Sequence, residues 1–478
     1  MTTRSKKMKK VTKRINLLLA LLLVVSIITG CTPASTSTST PPSSAETSNP
    51  PATSTTSPSA PSTTSPDVTP DNSYDTPINI KQGIDHKKKE IYIGTTYVTS
   101  GVYAFIGIPV IEAIKATFAR INEEEGGIHG YKLVLVNYDG QNNPGEDQAL
   151  LERLVEEDKV YMMTFLTGNQ VNTSMNYIVE YGVPVFYVSS GLKETFNAGP
   201  NVFPMQPAFI SDGKQLAARV LHESVFGPNG DQKLKPGEKI GIVYINAPGG
   251  QQPLSGMEEI MKAQGRWDDC IVEGVEGVQA GQVEAAIQKM KESGVSVLVF
   301  LGTGPSAAYA ACDDIGLEVP FFSTYSNSGT TSWPADFYKE SRPIYVTGWA
   351  DYTTEKAAIG LEVFYQTMEY SSLSKAEIEG LKEDFYARAG FCAGLMIEQG
   401  LKRMAANGPD WSWEALIAAM EQEPVEMITK ESADYSNGVR WGMTMEGMGK
   451  YYRDPEDPSK IIADLIFPFE TVEDILKK

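Results

Sequence analysis

Between Glu90 and Pro144 the chain passes from strand periodicity to helix periodicity and back. Ile91-Tyr92-Ile93 is a short apolar run that stops at Gly94. A small, hydroxyl-rich segment follows, made of Thr95, Thr96, Thr99, Ser100 and Gly101. Val110, Ile111, Ile114, Phe118 and Ile121 then recur at helical spacing. Gly126-Gly127-Ile128-His129-Gly130 breaks that helix, and Lys132 to Val136 reads as a second strand ending at Asp139-Gly140. This is a βαβ unit, whose strands are parallel and whose crossover is right-handed. It commits the chain to an α/β sheet, in which ligands sit beyond the carboxyl ends of the strands. Here those ends carry Thr99-Ser100-Gly101 and Asp139-Gly140-Gln141.

The alternation continues downstream. Helices are expected at 149–155 and 172–181, and strands at 160–166 and 183–188, the last ending at Ser189-Ser190-Gly191. Four strands with their helices within residues 90–191 make a doubly wound α/β lobe. Gly199 to Pro207 reads as a connection. A second series of similar size follows, with strands at 239–246, 295–301 and 320–323 and helices at 215–224, 255–264, 282–293 and 306–315. The fold class is therefore α/β, with two doubly wound parallel-sheet lobes. Pro343 to Trp349 is one more strand, expected to return the chain to the first lobe. Helices at 355–370, 375–389, 392–405 and 411–421 come next, then a β-like or looped end from Val439 to Phe469.

The hydroxyl-rich loop to Ser100-Gly101, Ile121-Asn122, Gly126-Gly127-Ile128-x-Gly130 and Asp139-x-x-x-x-Pro144 together carry a resemblance. The chain resembles, over roughly residues 88–470, the bacterial extracellular solute-binding proteins of ABC importers, the branched-chain amino acid and amide binders of the type I periplasmic-binding-protein fold. The resemblance implies three crossovers between the lobes, placed near Pro207, Tyr345 and Ser436, with the ligand in the cleft between them. Lobe 1 is then residues 88–207 plus 346–436, and lobe 2 residues 208–345 plus 437–478.

Ahead of the lobes, the first fourteen residues hold seven Lys or Arg and no acid, and 17–28 is an apolar run. That run is too short to span about 30 Å of hydrocarbon as a helix and has the length of a signal-peptide core. Thr29-Gly30-Cys31 resembles a lipoprotein processing site, so residues 1–30 are expected to be cleaved and Cys31 to carry lipid. The alternative is an ordinary signal peptide with an incidental Cys. Residues 32–66 hold 29 Ser, Thr or Pro among 35. Such a segment buries too little surface to offset chain entropy. It reads as a disordered tether over 31–80, roughly 35–40 Å long as a coil of about 50 residues. Without the basic leader the chain has 34 Lys plus Arg against 60 Asp plus Glu, which argues against a nucleic-acid partner. Cys270, Cys312 and Cys392 leave at least one thiol unpaired and show no zinc spacing.

The chain has no Gly-x-Ser-x-Gly elbow and no Walker loop, and Gly302-Thr303-Gly304 lacks the third glycine of a dinucleotide fingerprint. His86, His129 and His222 have no metal-ligand spacing. No catalytic residue, cofactor or metal is expected. Polar residues at strand ends remain: Thr99, Ser100 and Tyr103; Asn169, Gln170 and Asn172; Ser189, Ser190 and Gly191; and, in the second lobe, Asn246, Thr303, Tyr325 and Ser326. Asn172 opens a helix whose amides suit an anion, or is simply its N-cap. The resemblance makes the first-lobe set the holders of a solute's carboxylate or amide, through hydroxyls and backbone amides. It also places the acid that receives an α-ammonium near Thr324-Tyr325-Ser326, where no acid stands. An ammonium buried without a partner costs several kcal/mol, so a zwitterionic amino acid is disfavoured. The expected function is capture of a small solute (amide, carboxylic or aromatic acid, or branched-chain amino-acid-like) for an ABC-type permease and ATPase. The expected site is extracytoplasmic, with a lipid anchor in the membrane. The rivals are a ligand-sensing lipoprotein for a receptor and an extracellular enzyme.

Overall fold

The computed structural model describes residues 82–141, 143–279, 281–350, 355–406, 410–429 and 431–478. The leader, Cys31 and the Ser/Thr/Pro-rich segment lie outside the described residues. Among the described residues no helix is long and apolar enough to cross a membrane.

The first βαβ unit forms as its periodicity dictates. β1 (Ile84–Asp85) lies antiparallel to the start of β2 (Glu90–Thr95). β2 leads through α1 (Ala104–Glu124) to parallel β3 (Lys132–Asn137), in unbroken register from Glu90↔Lys132 to Thr95↔Asn137. The five apolar residues at helical spacing, Val110 to Ile121, are all buried. The chain continues through α2 (Pro144–Glu152), β4 (Met162–Thr167), α3 (Gly168–Tyr181), β5 (Val185–Ser189) and β6 (Val202–Pro204). The parallel order is β3-β2-β4-β5-β6. The order reverses between β2 and β4, which opens a crevice beyond their carboxyl ends.

The second series repeats that plan. α4 (Phe209–His222) precedes β7 (Lys239–Ile245), α5 (Pro248–Ala263), β8 (Cys270–Val275), α6 (Gln282–Ser293), β9 (Val295–Leu301), α7 (Ser306–Ile315), β10 (Phe321–Ser323) and β11 (Ile344–Gly348). Their order, β8-β7-β9-β10-β11, reverses between β7 and β9. Four helices then cover the first sheet: α8 (Glu355–Met368), α9 (Lys375–Lys382), α10 (Phe385–Ala406) and α11 (Trp413–Met420). Finally β12 (Glu446–Arg453) extends the second sheet antiparallel to β11, β13 (Ile461–Glu470) pairs antiparallel with β12, and α12 (Val472–Leu476) follows. One hydrophobic core fills the first lobe, and two separate cores lie on the faces of the second sheet.

The chain passes between the sheets three times: after Pro204, after Gly348 and before Glu446. The return expected near Tyr345 is a correction. Tyr345 pairs with Phe322 and Lys450 inside the second sheet, so β11 belongs there and the chain leaves only after Gly348. An apolar strand reads the same in either sheet, and only its pairing assigns it. The sequence reading also lacks three strands, the two-residue β1 among them. β6 lay in a Pro-containing connection, and β8 is an edge strand diluted by Glu273 and Gly274.

Helix boundaries after 375 shift for a physical reason. Lys375–Lys382 ends early, and Asp384 opens the next helix by accepting from the amides of Tyr386 (2.7 Å) and Ala387 (3.1 Å). Gly390, in the gap between the expected helices 375–389 and 392–405, is inside α10 and is the contact that lets it press on α1. A Cβ there would stand 2.4 Å from the Val110 carbonyl oxygen. Gly390→Ala is therefore expected to lower stability by about 1–3 kcal/mol, despite the better helix propensity of Ala. Gly380→Ala in the exposed α9, where nothing lies within 4 Å, should raise it by up to about 1 kcal/mol. Denaturant midpoints of the two variants check this; equal shifts would show that α1 yields at no cost.

Candidate functional site

The two crevices lie at the carboxyl ends of β2 and β4 in one lobe and of β7 and β9 in the other. After β2, Thr95, Thr96, Tyr97 and Val98 are buried, and the chain emerges at Thr99 and Ser100. This loop is held by Asp139 at the end of β3, whose Oδ1 accepts from the Thr99 amide (2.9 Å) and the Gln141 amide (3.1 Å). Burial alone would raise the Asp139 carboxyl. The Ser100 hydroxyl and the amides of Thr99, Gln141 and Ser100 overcome it and hold the group below the ordinary carboxylate value. The Ser100 hydroxyl thus has an internal partner. Tyr103, 41% exposed, stands beside the exposed Phe105 at the head of α1.

Asn169, Gln170 and Asn172 all fall on α3. β4 runs straight into that helix at Gly168, so Asn172 is its fifth residue and is neither its opening residue nor its cap. That expectation is corrected, and the helix starts at Gly168. The side chains of 165–172 and of Ser189 lie outside the described set. Ser190 is buried and its Oγ accepts from the Leu192 amide (3.1 Å).

Gln206, in the first connection, was not singled out from sequence. With its amide oxygen turned toward β5, it accepts from the amides of Gly191 (3.0 Å) and Ser190 (3.2 Å) and lies 3.2 Å from Tyr325 Oη. The backbone amides expected to hold a solute therefore meet the protein's own carboxamide. Tyr325, from the loop after β10, is 3% exposed. Its hydroxyl donates to the Pro207 carbonyl (2.8 Å), and its ring stacks on Phe209. Gly191 is required beneath it, since a Cβ would lie 2.3 Å from Tyr325 Oη. Tyr325 is thus a bridge between lobes at the base of the cleft.

The rest of the second-lobe set is more open. Asn246 is exposed at the end of β7, where it donates to Glu276 Oε1 (2.8 Å) and accepts from Gln251 (2.8 Å). Thr303 is exposed after β9, and Ser326 is half-buried, paired with Thr324 Oγ1 (2.8 Å). Asn327, buried and also unforeseen, joins the ends of β9 and β10 by donating to the Gly302 carbonyl (2.7 Å) and Ser323 Oγ (2.8 Å). Across the cleft, the Lys193 amide donates to Gln252 Oε1 (2.8 Å), and Gln252 donates to Glu194 (2.9 Å). Trp333 lies in a core of the second lobe, its indole N–H donated to the Asn327 carbonyl.

The chemistry this arrangement offers is hydrogen bonding. Among the described residues no cluster of His, Cys, Asp or Glu is fit to hold a metal. Cys270, Cys312 and Cys392 are free, and burial pushes each thiol up to about 12. None is a ready nucleophile at neutral pH.

Residues 90–445 match the model of a protein family described as periplasmic binding protein. The chain belongs to the periplasmic binding protein family. It is 22% identical over 219 residues to the Leu/Ile/Val-binding protein of Citrobacter freundii, which is 45% of this chain and 56% of that protein's length. The fatty acid ABC transporter substrate-binding protein from Thermomonospora curvata superposes with a TM-score of 0.61 at 14% identity, covering 83% of this chain and 97% of that one. A solute-binding protein from R. palustris, in complex with 4-hydroxybenzoate, gives 0.63 at 17% identity, covering 81% and 100%. These likenesses carry the fold, which is the type I periplasmic-binding-protein fold of the family.

In this binding-protein fold Tyr325 and Gln206 act on one contact, and their loss can be measured. Tyr325→Phe removes the donor to the Pro207 carbonyl and should cost about 0.5–1.5 kcal/mol. Gln206→Ala strands two buried amides and should cost more. The double variant is expected to lose less than the sum, because the two side chains touch. Strict additivity in denaturant unfolding would show that they act independently.

Proposed function

We propose that this chain is an extracytoplasmic solute-binding protein of an ABC importer, which captures a carboxylate- or carboxamide-bearing solute between its lobes. The observation that carries the reading is the pair of switch-point crevices, one on each sheet. Both are lined by hydroxyl, amide and backbone N–H groups, and Tyr325 bridges them at the base. Opposed crevices of this kind surround a small molecule from two sides, and domain closure then excludes water from it. On this reading the lining is drawn from Thr99, Ser100, Tyr103, Asn169, Gln170, Ser190 and Gly191 on one side and Asn246, Thr303 and Ser326 on the other. Asn172 and Ser189 are kept in that lining as the sequence places them, and the buried Tyr325 lies behind it. Gln206 holds the place of the solute's carboxylate or amide at the Ser190 and Gly191 amides and is displaced by it, or the solute is held at the start of α3, by the first-turn amides that a helix leaves without helical partners.

The relatives support a carboxylate. Of two similar structures, one is a fatty acid ABC transporter substrate-binding protein and the other holds 4-hydroxybenzoate. No acid stands in the Thr324–Ser326 loop to receive an ammonium. Asp212 is buried beneath Tyr325 and accepts from its backbone amide, and Glu276, at the second-lobe rim, already accepts from Asn246. A buried, unpaired ammonium would cancel much of the gain from the other contacts. We therefore place amides, carboxylic acids and aromatic acids ahead of zwitterionic amino acids. The leader and Cys31 are read as a lipid anchor, and the Ser/Thr/Pro-rich segment as a tether holding the lobes off the membrane within reach of a permease.

Titration calorimetry on the domain from about residue 80 tests the ligand class. 4-Hydroxybenzoate or a short-chain carboxylic acid should bind, and leucine, isoleucine and valine should bind at least tenfold more weakly. A bound acid at 100 times its Kd should also add about 2.7 kcal/mol of stability. Micromolar leucine with no binding of its keto acid would overturn the class. In cells, Cys31→Ser is expected to free the protein or leave it unprocessed. A cleaved protein that stays on the membrane would count against the anchor.

A further inference from the structure

Two carboxyl groups beneath the cleft are beyond the reach of solvent. Asp212, in the first turn of α4, and Glu446, the first residue of β12, are both fully buried. Asp212 Oδ1 accepts from Thr347 Oγ1 (2.6 Å) near the end of β11, and Oδ2 accepts from the Tyr325 amide (3.2 Å). Each of these elements adjoins a different passage between the lobes. α4 follows the first, β11 leads into the second, and β12 receives the third. The first and third passages also touch directly, the Met443 amide donating to the Met205 carbonyl (2.7 Å).

Thr347 donates to Asp212, and its neighbour Gly348 pairs with Gly447, next to Glu446, which brings the Glu446 carboxyl to that of Asp212; among the described residues neither Glu446 oxygen meets an aligned N–H or O–H donor. Two ionised carboxylates in contact in a dry site repel strongly, and the usual resolution is a shared proton. The charges around the pair do not remove this need. Arg219 on α4 donates Nη2 to the Glu446 backbone carbonyl (3.1 Å) and the Pro468 carbonyl (2.7 Å). Its Nη1 is committed to Glu223 (2.5 Å) and to Glu470 on β13 (2.9 Å). Lys478 also pairs with those two acids. On the other side stand the phenols of Tyr325 and Tyr187. Burial, then the charge of Asp212, raises Glu446 well above its ordinary value, against the pull of Arg219 and Thr347. Burial raises Asp212 too, against the hydrogen bonds from Thr347, Glu446 and the Tyr325 amide.

We propose that Asp212 and Glu446 share one proton, Glu446 donating to Asp212, and that this proton fastens the three passages on which the lobes turn, so that its loss loosens the hinge. The sign follows from linkage. The folded chain keeps a proton that the unfolded chain gives up at the ordinary carboxylate range. Stability from the pair is therefore full at low pH, and is lost as the pH rises toward the pair's raised value. This is independent of which solute occupies the cleft.

Glu446→Gln keeps a donor toward Asp212 but has no proton to lose. The thermal midpoint of the wild-type protein should fall from about pH 5 to about pH 9, and that of Glu446→Gln should fall less, so that the gap between them widens with pH. Hydrogen exchange at the Tyr325 amide, corrected for its intrinsic rise with pH, should accelerate at least tenfold at the alkaline end in the wild type and stay level in the variant. If the variant does not fold, infrared spectroscopy of the wild type decides. The carbonyl stretch of a buried, un-ionised carboxylic acid should be present at neutral pH and vanish at alkaline pH. Parallel midpoint curves for the two proteins, level exchange at Tyr325 in the wild type, or no acid carbonyl band at neutral pH would each overturn the proposal.

Discussion

Three passages of one chain between two sheets converge on the loop that carries Tyr325, and the rest of the structure depends on that convergence. Tyr325 reaches from the second lobe to the Pro207 carbonyl, rests on Gly191 and stacks on Phe209, while its amide is held by Asp212. The core of the first lobe takes in Tyr325 and packs against Phe209, both from the second series, so the junction is packed as well as crossed. The large core of the first lobe includes α8–α11, which arrive only after the second passage. That lobe is therefore complete only when the chain has crossed and returned.

The same geometry decides where chemistry can happen. Each sheet reverses its strand order once, and in both cases the reversal exposes loops rich in small polar residues. Much of that polarity is already spent. Asp139 secures Thr99 and Ser100, Gln206 occupies the Ser190 and Gly191 amides, and Asn327 ties two strand ends together. Such internal satisfaction keeps the loops in place without a ligand. On the proposed function, a solute there competes with side chains of the protein as well as with water. The site's electrostatics follow from burial: a carboxyl pair is hidden beneath the cleft, and the open rim is uncharged at Thr303 and Ser326.

Much of the fold was legible because its signal is periodic. The run from Ile91 to Asp139 and its repeat downstream could be placed from spacing alone, as could the position of the polar loops at strand ends. What was not legible depended on pairing or on distant partners. β11 carries an apolar pattern that suits either sheet, and only Phe322 and Lys450 assign it. Gly390 looks like a helix breaker in one dimension and is a helix contact in three. Asn172 looks like a cap because the strand before it gives no sign of passing directly into a helix. Asp212 and Glu446 are more than two hundred residues apart, and in sequence each looks like an ordinary surface acid. Gln206 gave one faint hint, its place between Pro204 and Pro207 in a connection that has to be rigid.

The central claim is that a solute bound between the lobes closes them by rotation at the junction. Small-angle scattering on the domain from about residue 80, with and without a saturating carboxylic acid that binds it, tests this most directly. The radius of gyration is expected to fall on binding and to recover when the acid is dialysed away. A solute that binds tightly and leaves the scattering curve unchanged would contradict it.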